Sequence, residues 1–245
     1  MWWWFRRKKR PAPAEPEPTP GGSAIDRYGK SGSTKAAVAI PDGDTAGFAG
    51  QRERLYEEFF GPSVQVFHEM LPRLPHIDVH QFGPGHAGRD FHTLVTSGMS
   101  DCAMNLPPGA ADATSRVELI VYCRQPEQAH LDTLRRLAHD PHDHHSWLGT
   151  GHTMSNGSPP QPIWGSPALN TFLFLPTILA PDMTLPDRLR INGESVEFLW
   201  VVPISSAECD LKLEEGIDEL LDLFDRFEHP PIFDPNRPCY VAAAR

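Results

Sequence analysis

The sequence lacks the features that define several large classes of protein. None of its apolar runs reaches the roughly 18 residues needed to cross a bilayer, so no membrane-spanning helix is predicted. It contains 4 cysteines among 245 residues, with no Cys-x-x-Cys pair and no secretory signal. Scattered thiols of this kind are typical of a reducing compartment, so we expect a cytoplasmic protein.

Basic residues are scarce as well, and they are unevenly placed. The chain has 22 lysines and arginines against 32 aspartates and glutamates, and five of the basic residues fall at positions 6–10. Residues 11–245 therefore hold 17 basic against 32 acidic residues, a formal charge of −15. Such a surface repels phosphate backbones, so no nucleic-acid partner is predicted, and a basic protein is the better electrostatic match.

The familiar catalytic signatures are incomplete or missing. Gly29-Lys30-Ser31 resembles the end of a phosphate-binding loop, but Ala24 occupies the position that requires glycine. His68-Glu69 begins a zinc-protease pattern, but Pro72 stands where the second histidine is needed. Neither a Gly-x-Ser-x-Gly elbow nor a dinucleotide-binding glycine pattern occurs, and no cofactor is predicted.

Proline is present in excess, at 26 of 245 residues, and this disfavours coiled coils and long helices. Residues 11–22 form a Pro-, Ala- and Glu-rich linker. We expect residues 1–48 to form a disordered tail and residues 49–245 a single folded domain. Three tryptophans beside the basic run leave two interpretations of residues 1–10 open: contact with an anionic membrane surface, or a terminus without function.

Apolar periodicity predicts both helices and strands in the folded part. Helical spacing from Gln51 to Leu71, broken at Gly61-Pro62, indicates two short helices, the second opened by Pro62. A capping box at Ser205 and Glu208 predicts another helix start. The remaining predicted helices cover residues 125–138 and 217–227, and the predicted strands cover residues 77–82, 91–96, 117–123, 171–178 and 196–204. This order predicts an α+β or α/β domain with a central mixed β-sheet flanked by helices.

Residues 140–168 are rich in His, Gly, Pro and Ser and are predicted to be largely loop. Imidazole and carboxylate groups here could bind zinc or iron, which suggests a metal-dependent hydrolase using the His139–His152 region. The alternative is a solvated loop, because close spacing alone does not aim side chains at one point. The side chains concerned are His139, Asp140, His142, Asp143, His144, His145 and His152.

A series of short pieces follows a characteristic order between Thr93 and Arg237. They are Thr93 to Asp101, Met104-Asn105, Glu118 to Tyr122, Leu137-Ala138, Trp147 to Gly149, Gly151 to Thr153, Asn156-Gly157, Pro159-Pro160, Phe198 to Ile204, Glu208 to Gly216 and Asp234 to Arg237. In this order and spacing, the chain resembles the suppressor of fused (SUFU) domain family over roughly residues 50–240.

The resemblance implies an α+β domain with a mixed sheet, protein binding, and no catalytic activity. Animal members of the family restrain transcription factors of the Hedgehog pathway by binding them. Bacterial members resemble stand-alone domains, and many are proposed to be immunity proteins that neutralise partner toxins. Because the chain ends soon after Arg237, the second domain of the animal proteins is not expected here.

We therefore expect a non-enzymatic protein-binding domain, plausibly an immunity-type inhibitor of a basic toxin or effector. Tryptophans in Gly/Pro-rich loops are candidate binding hot spots, and exposed acids would speed encounter with a basic partner. Each of these residues could instead serve the fold, by shaping a turn, packing in the core or pairing internally. The candidate partner-binding residues are Asp101, Asp140, Asp143, Trp147, His152, Trp164, Asp234 and Arg237.

Overall fold

The computed structural model describes residues 17–25, 43–110 and 113–244. Residues 1–10, including the tryptophan and basic run, lie outside the described residues, as does Gly29-Lys30-Ser31. No helix in the described ranges combines the length and the apolar character needed to cross a membrane.

The described residues form an α+β domain around a seven-stranded mixed sheet, as predicted. Its strands are β3 (Ser63–Phe67), β4 (Asp78–Phe82), β5 (His92–Ser97), β6 (Val117–Cys123), β7 (Thr153–Ser155), β8 (Thr171–Pro176) and β11 (Glu197–Ile204). They lie in the order β3-β4-β5-β6-β11-β8-β7, in which β6 and β11 are parallel and the other neighbours are antiparallel. Short pairs outside this sheet are β1 (Glu17–Pro18) with β2 (Ala24–Ile25), and β9 (Arg190–Ile191) with β10 (Glu194–Ser195).

Both faces of the sheet are covered, which explains why its central strands read as continuous apolar runs. All seven residues of β6 are buried. Alternate residues of β11 join different apolar clusters: Trp200 and Val202 join the cluster on one face, and Leu199 and Val201 the cluster on the other. The domain is therefore three layers deep, with helices on each side of the sheet.

The six helices are α1 (Thr45–Phe60), α2 (Gln128–His144), α3 (Leu185–Arg188), α4 (Ser206–Glu215), α5 (Ile217–Arg226) and α6 (Tyr240–Ala243) among the described residues. Helices α1 and α5 supply one apolar cluster and α2 supplies the other. Leu131, Leu134 and Leu137 of α2 are buried, as its periodicity predicts. Full burial of a leucine contributes about 1.5–3 kcal/mol, so these three side chains hold α2 firmly on the sheet.

The prediction of a second helix after Pro62 is wrong, because residues 63–67 form the strand β3. The segment Ser-Val-Gln-Val-Phe alternates β-branched and polar residues over its first four positions, which favours a strand. It pairs antiparallel with β4 at the edge of the sheet. The first helix predicted in this region is confirmed as α1. Asp44 caps it by accepting a hydrogen bond from the Gly47 backbone N–H (3.1 Å).

Helix α2 ends later than predicted, so the expected loop does not begin until after His144. Pro141 lies within its last turn, where the missing N–H removes only the bond to the carbonyl of Leu137. His145 then ends the helix in a left-handed conformation (φ 51°). His139, Asp140, His142, Asp143 and His144 are consequently helical and not loop residues.

The capping box at the start of α4 is confirmed. The Glu208 backbone N–H donates to Ser205 Oγ (3.2 Å), and the Ser205 backbone N–H donates to Glu208 Oε2 (2.8 Å). Two backbone donors at the helix end are thereby satisfied.

Part of the predicted tail contacts the domain. The turn between β1 and β2 lies against the end of α4, where the Gly21 N–H donates to the Leu213 carbonyl (2.9 Å) and Lys212 Nζ donates to Ser23 Oγ (2.9 Å). Helix α1 begins at Thr45 and so crosses the boundary predicted at residue 49. Its first three residues, Thr45, Ala46 and Gly47, are small and give little apolar signal in the sequence.

Candidate partner-binding groove

A groove of about 440 Å³ lies where β6 ends, between the start of α2, the loop around Trp164 and the segment before α6. The end of β6, at Cys123, lies on one side of the groove, and Glu127 and His130 at the start of α2 form one of its walls. The lining residues are Cys123, Arg124, Gln125, Glu127, His130, Trp164, Pro230, Ile232, Phe233, Asp234 and Pro235. Two of the predicted contact residues, Trp164 and Asp234, meet here.

Trp164 is fixed against α2 from two directions. Its indole Nε1–H donates to the Ala129 carbonyl and to Thr133 Oγ1, both at 3.2 Å. Its ring stacks on His130, with ring centroids 4.5 Å apart and planes inclined by 29°. Trp164 adopts a left-handed backbone (φ 45°) and precedes Gly165, so the tight turn presents the indole to the helix. A rigid, half-buried tryptophan is the residue type most often found at binding hot spots.

His130 carries an unsatisfied hydrogen-bond donor in the groove wall. The Glu127 backbone N–H donates to its Nδ1 (3.2 Å), so Nδ1 is the acceptor. Burial lowers the pKa of His130, so the ring is neutral and its proton sits on Nε2. Nε2 is buried and has no partner among the described residues. An orphaned buried donor is uncommon, and strain, an ordered water or a bound ligand accounts for one.

The third side of the groove is formed by Phe233 and Asp234. The Phe233 backbone N–H donates to the Tyr122 carbonyl (2.9 Å), which joins this segment to the end of β6. The Phe233 ring meets Trp164 edge-on, with centroids 5.0 Å apart. Asp234 is exposed, and its Oδ1 accepts from the Asn236 N–H (2.8 Å), which is the turn chemistry expected of an Asp-Pro-Asn sequence.

The charges around the groove are predominantly acidic. Arg124 is already engaged, because its Nη1 donates to the Asp90 carboxylate (2.7 Å) and to the Asp90 carbonyl (3.1 Å). This hydrogen bond from Arg124 lowers the pKa of Asp90. Glu127 at the start of α2 and Asp234 have no cationic partner among the described residues. The Glu127 carboxylate accepts from the His130 backbone N–H in the capping box of α2, and the Asp234 carboxylate accepts from the Asn236 N–H. The groove therefore presents two carboxylates without a cation beside aromatic rings.

Four further candidates, one exposed and three half-buried, lie elsewhere on the domain. Trp147 and His152 contact each other edge to face, with ring centroids 4.3 Å apart. Both carboxylate oxygens of Asp143 accept from the same nitrogen, Arg73 Nη2 (2.8 and 2.7 Å). Asp140 is half-buried and lies 3.3 Å from His144. These residues do not line the groove.

Asp101 and Arg237, which were also candidate contact residues, lie inside the fold. Asp101 is 5% exposed and accepts from Arg52 Nη1 at 2.5 Å. Arg237 is 6% exposed and donates to both oxygens of Glu208, at 2.7 and 2.9 Å. Each charge is satisfied by an internal partner, so their burial argues for a structural role.

The histidine-rich region does not converge on one point. His139 Nε2 donates to Glu69 (2.8 Å), and His142 Nε2 donates to the Met99 carbonyl (3.2 Å). Burial lowers the pKa of His142 to about 4. The described ranges contain no group of three or more His, Cys, Asp or Glu residues arranged to hold a metal ion. No observation there favours the metal-dependent hydrolase.

Sequence reasoning missed His130, Arg124, Glu127 and Phe233 as groove residues. The Glu-x-x-His spacing at the start of α2 is a weak capping signal, and it gives no indication that Nε2 is orphaned. Phe233 belongs to a short Ile-Phe pair among prolines, which gives no clear structural signal. Only the fold brings the end of β6 next to residues 230–235.

The chain is similar to known proteins of one family. Its sequence matches the family described as Suppressor of fused protein (SUFU) over residues 73–238. Its fold is similar to that of a SUFU homolog from Neisseria gonorrhoeae, with a TM-score of 0.61 and 20% identity, covering 80% of this chain and 97% of that one. It is also similar to a chain of the Sufu-Fu complex, with a TM-score of 0.57 and 11% identity, covering 83% and 95%. No curated protein matches the chain.

Proposed function

The chain belongs to the suppressor of fused family, and from that membership we propose that it is a non-enzymatic protein-binding domain acting as an immunity-type inhibitor of a toxin. The observation that carries the proposal is the family match, which extends from residue 73 to residue 238. A chain of similar fold forms part of the Sufu-Fu complex, which supports binding of another protein as the general activity.

The groove is the surface that best suits this role. It combines a fixed tryptophan, a neighbouring phenylalanine and open carboxylates, and interface hot spots are enriched in buried aromatic anchors. Trp147 and His152 form a second aromatic patch that a large partner could reach. Standard interfaces bury about 800 Å² on each partner, so a partner bound at the groove would also contact the surface around it.

The acidic charge of the chain favours a basic toxin as the partner. Residues 11–245 have a formal charge of −15, and complementary charge accelerates association, especially at low salt. An inhibitor gains from fast association because it must capture the toxin before damage occurs. Charge supports this choice of partner through encounter rate and leaves the identity of the toxin open.

The test begins with affinity capture of the tagged full chain, followed by purification of the captured partner. The partner's own enzymatic activity is then measured while the chain is titrated. We expect the activity to fall to background at a 1:1 ratio. A partner that keeps its full activity when saturated would reject the immunity role while leaving protein binding in place.

A matched pair of variants ties the effect to the groove. Asp234→Lys reverses a charge in the groove, and Asp222→Lys makes the same change on the exposed face of α5. We expect the first variant to weaken inhibition by about tenfold or more and the second to change it less than about threefold. Equal losses would place the contact surface elsewhere on the domain.

A further inference from the structure

We propose that the groove binds an arginine-bearing peptide segment of the partner, with the guanidinium facing the carboxylates of Glu127 and Asp234 and a backbone carbonyl reaching His130. This inference rests on the proposed protein-binding function and deepens it, because it states the chemistry that the groove selects. It follows from three properties of the lining residues: the sign of the open charges, the orphaned donor and the stacked aromatic rings.

The open charges select a cation. Glu127 and Asp234 have no cationic partner among the described residues, whereas Arg124 is held by Asp90. The start of α2 would ordinarily favour an anion, but Glu127 supplies a carboxylate at that position. A phosphate or carboxylate ligand would therefore meet two uncompensated acids. A cationic side chain would complete their pairing.

The orphaned donor selects a peptide over a bare cation. His130 Nε2–H needs an acceptor, and a cation offers none. A peptide offers both kinds of group, since its side chain supplies the donors and its backbone carbonyls supply acceptors. Nε2 is buried, and the His130 ring lies against Trp164 and Phe233, so we expect one of these rings to shift when an acceptor reaches Nε2. Binding should therefore change the environments of His130 and Trp164 together.

The aromatic rings select arginine over lysine. A guanidinium is planar, stacks on tryptophan and pairs with carboxylates through two parallel hydrogen bonds. The ammonium group of lysine is a strongly hydrated point charge and loses more on entering a partly apolar groove. A volume of about 440 Å³ accommodates one long side chain with the backbone on either side.

The experiment titrates the isotopically labelled full chain with small peptides and follows its NMR signals. The probe is acetyl-Gly-Arg-Gly-amide, and its matched controls carry citrulline, lysine or glutamate in place of arginine. We expect the arginine probe to shift the Trp164 indole N–H and the His130 ring signals together. The citrulline probe, which keeps the shape but loses the charge, should bind about fivefold more weakly, and the glutamate probe weakest.

Variants locate the effect. The double variant Glu127→Gln with Asp234→Asn should abolish the preference for arginine over citrulline, and Asp222→Asn on α5 should leave it unchanged. Equal binding of arginine and citrulline, stronger binding of the glutamate probe, or shifts spread over the acidic surface without Trp164 would each overturn the proposal.

The alternative ligand of the groove is the basic run of this chain itself, residues 6–10. In a full-length variant with residues 6–10 changed to serine, the Trp164 signal without probe should match that of the unaltered chain. A shifted signal would assign the groove to that run and overturn the proposal. The tests of function and of groove chemistry are separable: a captured partner with no response to the arginine probe rejects only this inference, and a response without inhibition of a partner rejects only the immunity role.

Discussion

The Asp101 network and the groove each bring acidic side chains close to a nitrogen donor, but only the network completes the pairing. The Asp101 network consists of Arg52, Ser97, Ser100, Asp101 and Glu118, and it joins α1 to the turn after β5. Its charged groups are satisfied within the fold. In the groove, two carboxylates lack a cation and one imidazole N–H lacks an acceptor. This difference separates residues that hold the fold from residues left for a partner.

The Asp101 network is dense in charge-assisted hydrogen bonds. Arg52 donates to Ser97 Oγ (2.9 Å) and Asp101 Oδ1 (2.5 Å). Glu118 is fully buried and accepts from the Gly98 N–H (3.0 Å) and from the hydroxyl and N–H of Ser100 (2.6 and 3.1 Å). These bonds compensate the cost of burying one cation between two carboxylates.

The largest expected effect comes from Arg52→Met, which removes the cation and leaves Asp101 and Glu118 buried without it. Breaking a buried ion pair from one side costs about 3–5 kcal/mol. We expect the free energy of unfolding to fall by this amount, measured by urea denaturation at pH 7.

The matched control is Arg54→Met, which makes the same change on the exposed face of the same helix. Its free energy of unfolding should stay within about 0.5 kcal/mol of the unaltered chain. Similar losses in the two variants would show that the network contributes no more than surface charge, and the contrast with the groove would disappear.

A smaller loss of stability is expected on acidification, through protonation of His142, which lies next to the Asp101 network. Its Nε2–H donates to the carbonyl of Met99, two residues before Asp101. Burial lowers the pKa of His142 from 6.5 to about 4. As the pH falls, the unfolded chain therefore takes up this proton before the folded chain does.

The stabilising contribution of neutral His142 is fully present above pH 6.5 and is lost as the pH falls towards 4. Between pH 7.5 and 4.5 this loss amounts to about 2–3 kcal/mol. Urea titrations across this range should show His142→Gln losing less stability than the unaltered chain by that amount. Parallel pH profiles for the two proteins would assign the acid sensitivity to other groups.

The strands were largely predictable because their signals are local. The apolar runs of β6, β8 and β11 and the capping box at Ser205 specify their own structure through side-chain periodicity. The segment after Pro62 failed because proline opens helices and also tolerates strand edges, and the pairing with β4 decides between them. Helix α2 extends beyond its predicted end at residue 138, because Pro141 in the last turn removes only one backbone hydrogen bond.

The groove could not be predicted in the same way, because its pieces come from distant parts of the chain. Trp164 and Asp234 were both named from residue type, but only the folded domain brings His130 into the same groove. Asp101 and Arg237 were named by the same reasoning and are buried. Residue type identifies a charge, whereas its availability depends on whether another element supplies the counter-charge.

The smallest expected effect on the fold comes from Asp234→Asn, and it gives the sharpest test of the contrast. Asparagine keeps the oxygen that accepts from the Asn236 N–H, so the turn is preserved while the charge is lost. We expect the free energy of unfolding to change by less than about 0.5 kcal/mol. Affinity for acetyl-Gly-Arg-Gly-amide should nevertheless fall about twofold to fivefold at low salt, and this difference should shrink in about 1 M salt. A variant that lost stability but kept its affinity would place Asp234 with the Asp101 network, among residues that hold the fold.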